Sequence, residues 1–127
     1  MASITITNET TTEWLLVTFG AIYGNWSTEP GNVPASTDNS PGSVTFKLDA
    51  AVDSTAGVDG YVEYALNADE GPWARIDFRS ILTNVNELNV VITDESYEPR
   101  SDFNEEGALV GQITFALKEP SQEAVGN

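Results

Sequence analysis

Apolar residues recur at every second position in one short segment after another. Ile4 and Ile6 do so in SITIT, Val44, Phe46 and Leu48 in SVTFKL, and Val62, Tyr64 and Leu66 in YVEYAL. WARIDFR sets Ala74, Ile76 and Phe78 against Arg75, Asp77 and Arg79, and ELNVVIT sets Leu88, Val90 and Ile92 against Asn89 and Thr93. LVGQITFAL aligns Leu109, Ile113, Phe115 and Leu117. Period two is the signature of half-buried strands, and helical spacing is hard to find. A further run, EWLLVTF, has too little polar interruption to show which face is buried. Seven or more short strands separated by Gly, Pro, Asn and Asp clusters predict an all-β fold, an antiparallel β-sandwich forming a single domain over residues 1–127, with 118–127 as a flexible tail.

The connections carry their own chemistry. NADEGP lies between the strand ending at Leu66 and the one beginning at Trp73, and predicts that these two strands pair as a hairpin. Two longer pieces, Gly24 to Gly42 and Asp94 to Gly107, show no alternation and read as irregular; loops of that length are often functional.

Charge and missing residue types narrow the function. Against 5 Lys and Arg stand 20 Asp and Glu, a net charge of −15, which repels nucleic-acid phosphates and anionic lipid surfaces alike. Nucleic acid is not an expected partner, and any membrane contact would be apolar or directed at neutral or zwitterionic headgroups. The chain contains neither cysteine nor histidine. Disulfides, thiol catalysis, imidazole bases and Cys/His zinc sites are therefore unavailable, and neither an enzymatic activity nor a cofactor is expected. No apolar run approaches the roughly 20 residues that span a bilayer. The opening MASITITNET has neither the basic segment nor the apolar core of a secretory leader. The expectation is synthesis in the cytoplasm without a signal peptide, with any extracellular action following release.

Several constellations have competing explanations. STAGVDGYVEY mixes Asp53, Asp59 and Glu63 with glycines, but counted from Asp53 the spacing fails that of a helix-loop-helix calcium loop. A glycine turn before a strand is the simpler reading, and no metal site is expected. Asp69 with Glu70 and Glu105 with Glu106 are adjacent acids in turns, available to a two-carboxylate glycosidase only if a fold brings partners into one cleft. Arg75 and Arg79 flank Asp77 on one outward strand face, where a cross-strand pairing with Glu63 is favoured over an anion clamp. NET at Asn8 and NWS at Asn25 match a glycosylation pattern that arises often by chance.

The tryptophans remain. Trp14 lies in a strand run, Trp73 opens a strand, and Trp26 sits with Tyr23 in IYGNWSTEPGNV, read as a loop. An exposed tryptophan suits lipid headgroups, protein interfaces and sugar faces, because it joins a large apolar body to one N–H donor. For Trp26 the residues leave two readings open, a binding role and a plug at the end of the core. A lectin-like carbohydrate-binding module, with Trp26 or Trp73 stacking on a sugar ring, is the alternative to a membrane or receptor binder.

The order of these features resembles the aegerolysin family, and within it the small component of Bacillus binary rootworm toxins. The resemblance runs over roughly residues 3 to 93 and rests on ITITN, on YGNWSTEPGNV with Pro30 to Val33, on FKLDAAVDSTAGVDGYVEYALN, and on RIDF followed by SILTN. It implies a β-sandwich that binds membrane lipid, often sphingolipid-containing, or a cell-surface receptor. It also implies a separate, larger pore-forming protein as partner and, in the insecticidal branch, gut epithelium as target. By position, Trp26 matches a loop tryptophan that contacts lipid in fungal members. Their second lipid-contacting tryptophan falls near Leu82, the accompanying lysine near Val85 and the loop glutamate near Ala56, so this chain departs from the sphingolipid-specific pattern. Tyr23, Trp26, Ile81 and Leu82 are the residues this resemblance places at the ligand or membrane surface.

Overall fold

The period-two segments become strands, and their inward residues become the core. A computed structural model describes residues 2–37, 40–50, 57–66, 72–81 and 85–117. Leu82, Asp53, Asp69, Glu70 and the expected tail 118–127 lie outside the described residues. The strands are β1 (Ala2–Asn8), β2 (Leu15–Tyr23), β3 (Asn25–Thr28), β4 (Gly42–Asp49), β5 (Val58–Ala65), β6 (Trp73–Ser80), β7 (Glu87–Ile92), β8 (Arg100–Phe103) and β9 (Leu109–Phe115). No helix occurs among the described residues.

Two sheets stack face to face. One has five strands in the order β3-β4-β1-β9-β8, the other four in the order β2-β5-β6-β7. The hairpin expected across NADEGP is present as the antiparallel β5–β6 pair, with Leu66 N–H donating to the Pro72 carbonyl at 2.9 Å. Ile4, Ile6, Phe46, Leu48, Leu109, Ile113 and Phe115 of the larger sheet meet Val62, Tyr64, Ala74, Ile76, Phe78 and Leu88 of the smaller, all buried. Each fully buried aliphatic or aromatic side chain here contributes roughly 1.5–3 kcal/mol.

Three details depart from the sequence reading, and a fourth explains where it stopped. The two segments read as irregular each hold a four-residue strand, β3 and β8. One strand pair is parallel, β1 with β9, joining the two ends of the chain's fold in the middle of the larger sheet. Leu117, aligned inward by its spacing, is 57% exposed, because β9 ends at Phe115 and only an isolated bridge to Tyr97 follows. Strand β2 hides its face because its register shifts twice, at Val17 and at Ile22. Each bulge adds a residue to an edge strand and turns it out of the ladder, which also blunts that edge against pairing with another chain.

The two outer faces differ in chemistry. On the smaller sheet Arg75 pairs with Glu63 and Asp77 at 3.0 Å each, and Arg79 with Asp59 at 3.3 Å and Glu87 at 3.5 Å. The Glu63 pairing is the one expected from the sequence. The Arg75 guanidinium also lies 4.3 Å from the Tyr61 ring centre, and hydrogen bonding to Asp77 raises its pKa. Exposed pairs of this kind contribute about 0–1 kcal/mol each, so they organise the surface more than they stabilise it. The outer face of the larger sheet is dominated by hydroxyls, with Thr5 and Thr45 joined at 2.9 Å across β1 and β4.

Candidate functional site

The sandwich has two ends, and each is built around a tryptophan. At the first, Trp14 is fully buried and exchanges two 2.9 Å backbone hydrogen bonds with Val33. Tyr97 and Phe115 close over its ring, with centroids 5.4 and 4.9 Å away. Asn8 ties the surrounding chain together. Its carboxamide oxygen accepts from the Thr10 N–H and hydroxyl, and its NH2 donates to the carbonyls of Thr12 and Pro34 at 2.9 Å. This buried, fully engaged side chain cannot serve as the glycosylation acceptor that the NET pattern suggests.

At the opposite end Trp26 lies in strand β3, not in a loop, paired with Leu48 of β4. Gly24 makes the tight turn that leads from β2 into β3: its φ is 113°, and a Cβ there would sit 2.8 Å from the Asp49 carbonyl oxygen. The turn aims the half-buried Trp26 ring at the core, where Phe19, Phe46 and Phe78 surround it at centroid distances of 5.5, 6.0 and 6.1 Å. The core-plug reading thus describes its packing, and a tryptophan so enclosed is not free to stack flat on a sugar. Trp73, the other candidate for sugar stacking, is 38% exposed at the Trp14 end.

The remaining candidates share the Trp26 end. Tyr23 ends β2 and is 49% exposed; it is paired with Asp59 just beyond the second bulge. Ile81 follows β6 and is half-buried. Gly57, with φ 78°, packs so closely on this segment that a Cβ would collide with the Ser80 carbonyl oxygen and lie 3.0 Å from the Ile81 Cα. On its other side Ser80 donates to the Gly107 carbonyl at 3.4 Å, and Asn86 donates to the carbonyls of Asn104 and Gly107 at 3.0 Å. Ser80 and Asn86 are therefore anchored to the β8–β9 connection by side-chain hydrogen bonds to its carbonyls. Sequence reasoning missed two residues at this end: Ile22, 63% exposed, and Val85, 59% exposed. The available signal for Ile22 was the loss of alternation in GAIY, which marks the bulge that turns it outward.

The end is apolar and anionic. Asp59 and Glu87 are held by Arg79, while Glu105 and Glu106 are exposed on the β8–β9 connection. No group of three or more acids able to hold a metal ion occurs among the described residues. The side chains with displaced titration lie elsewhere. Burial pushes Tyr64 well up, where its hydroxyl donates to the Gly31 carbonyl at 2.9 Å, and burial followed by the Asp94 charge raises Tyr97. Among the described residues, this end presents exposed apolar side chains flanked by acids.

No family model matches the chain, and no curated protein matches it by sequence. Solved structures do match. RahU, crystallised with a TRIS molecule, superposes with a TM-score of 0.66 at 11% identity, covering 94% of this chain and 98% of RahU. IP-1A from Alcaligenes faecalis gives 0.66 at 12%, covering 93% and 92%. The lipid binding protein Nakanori gives 0.68 at 5%, covering 91% of this chain and 71% of that one. These neighbours have aegerolysin-type folds, and at such identities the likeness is one of fold alone. Within this sandwich, Ile22 and Tyr23 close β2 and Trp26 lies in β3 at one end, with Ile81 beyond β6 at the same end.

Proposed function

We propose that this protein is a non-enzymatic membrane-binding protein that attaches through the Trp26 end of its sandwich. The observation that carries the reading is the exposure of Ile22 and Tyr23 on a bulged edge strand, at the end of the sandwich where Trp26 and Ile81 also lie. Large exposed apolar side chains grouped at one end of a soluble fold mark an interaction surface. The net charge of −15 and the acidic rim direct that surface to neutral or zwitterionic lipid. The likeness to a structure described as a lipid binding protein supports the same reading.

Fully burying an aliphatic side chain contributes roughly 1.5–3 kcal/mol. Two or three such residues, less the ordering cost, leave attachment near the roughly 4 kcal/mol of a millimolar complex. Binding of that strength is reversible and needs reinforcement. We therefore read the protein as the binding component of a two-part pore-forming or insecticidal system, acting outside the cell that makes it, with a larger protein supplying the pore. Vesicle co-sedimentation tests the membrane step. The wild type is expected to pellet with vesicles of phosphatidylcholine, sphingomyelin and cholesterol, and an Ile22→Asp, Tyr23→Ser double variant with unchanged near-ultraviolet circular dichroism is expected to stay in solution. Equal pelleting of both proteins would refute the assignment of the surface.

A further inference from the structure

We propose that the outer face of β8 and β9 is a binding site for a neutral sugar, separate from the membrane-facing end. A shallow cavity of about 700 Å³ lies there. The β8–β9 register sets its polar floor, because Arg100 is opposite Thr114 and Asp102 opposite Gln112. Cross-strand neighbours stand about 5 Å apart, and same-face residues along a strand about 7 Å. These four side chains therefore form a square of donors and acceptors comparable with a pyranose ring and its vicinal hydroxyls. Val110, 52% exposed, adds an apolar patch on the same side of β9 for the C–H face of a sugar.

The polar groups are available. The carboxylate of Asp102, the carboxamide of Gln112 and the hydroxyl of Thr114 make no side-chain hydrogen bond among the described residues, while Arg100 spends one nitrogen on Glu9 at 2.7 Å. A carboxylate and a carboxamide side by side accept and donate to adjacent hydroxyls, which is the pairing a vicinal diol requires. Charge selects the ligand class. Glu9 and Asp102 offset Arg100, so an anion finds no net positive charge, and the flanking positions Thr5 and Thr7 of β1 and Ser43 and Thr45 of β4 continue the face without charge. In a chain of net charge −15 this hydroxyl-rich face, on which the charges of Arg100, Glu9 and Asp102 largely offset one another and Lys47 lies out on β4, stands apart from the ion-paired face of the other sheet.

The test uses the intact protein and the methyl glycosides of glucose, galactose, mannose, N-acetylglucosamine and N-acetylgalactosamine, read by amide chemical shifts. At least one glycoside is expected to shift amides of residues 100–103 and 110–114 while leaving those around Tyr23 unmoved. Asp102→Ala and Gln112→Ala, both at exposed positions, are expected to weaken that binding roughly tenfold by removing hydrogen bonds to the sugar, without altering vesicle co-sedimentation. Failure of every glycoside to shift these amides would overturn the proposal. So would shifts that persist unchanged in both variants, or sodium phosphate acting on the same amides at lower concentration than any glycoside.

Discussion

The two ends of the sandwich solve the same problem in different ways. Both must close a core between two sheets, and both use a tryptophan. At the Trp14 end the chain itself finishes the closure, with Val33 bridged to Trp14, Tyr97 and Phe115 over the ring, and Asn8 engaged on both faces of its carboxamide. At the Trp26 end three phenylalanines, Phe19, Phe46 and Phe78, seal the tryptophan ring, but Ile22 and Tyr23 remain outside on a bulged edge. The stability of a fold does not require large apolar side chains in water. They occur near both ends, Trp73 and Leu117 at the Trp14 end and Ile22, Tyr23 and Val85 at the other; what sets the Trp26 end apart is that two of them are adjacent on a bulged edge strand.

That comparison can be broken by substitution. Trp14→Ala should have the largest effect, a loss of about 3–5 kcal/mol of stability, because a fully buried ring leaves a cavity that backbone bridges keep from collapsing. Denaturant unfolding measures it, and a loss below that range would mean the Trp14 end is not rigidly closed. Trp26→Ala should cost less, about 2–3 kcal/mol, since its ring is half-buried at the rim. Any fall in vesicle binding by that variant then has to be separated from its lower stability, which is why Ile22 and Tyr23 are the cleaner probes.

Alkaline pH supplies a smaller effect specific to the core. Tyr64 titrates well above its ordinary value of 10.0 because burial disfavours the phenolate. Below that value both folded and unfolded chains hold the proton. Above it the unfolded chain gives the proton up first, so folding stability is intact below the ordinary value and declines as pH rises past it. Tyr64→Phe should remove most of that decline while costing about 1 kcal/mol at neutral pH through the lost bond to Gly31. Unfolding midpoints measured on both sides of the ordinary value check the sign. Least of all in stability, within about ±0.5 kcal/mol, should be the Ile22→Asp, Tyr23→Ser double variant, whose changes fall on exposed positions.

Much of the fold was legible in the sequence for one physical reason. Strands β1, β4, β5, β6, β7 and β9 each bury one face and wet the other, so period-two alternation survives in their residues. Strands β3 and β8 are too short for alternation to register, and the two bulges in β2 break its period where Val17 and Ile22 turn outward. The parallel pairing of β1 with β9 is a long-range choice that no local pattern encodes. Site residues follow the same logic. The resemblance brought Tyr23, Trp26 and Ile81 together at one end, as the fold does, but it could not say that Trp26 faces three aromatic neighbours in the interior. Leu82 lies outside the described residues. Ile22 was hidden because only the bulge exposes it.

The proposed attachment requires that the Trp26 end, and not the Trp14 end, meet lipid. The chain has no cysteine, so a single introduced thiol can carry an environment-sensitive fluorophore at either end. Ile22→Cys and Leu117→Cys place one at each, both at exposed positions. On vesicles of phosphatidylcholine, sphingomyelin and cholesterol, the probe at position 22 is predicted to shift its emission to the blue while the probe at 117 stays as in water. A blue shift at 117 alone, equal shifts at both positions, or no shift at either would rule out attachment through the Trp26 end.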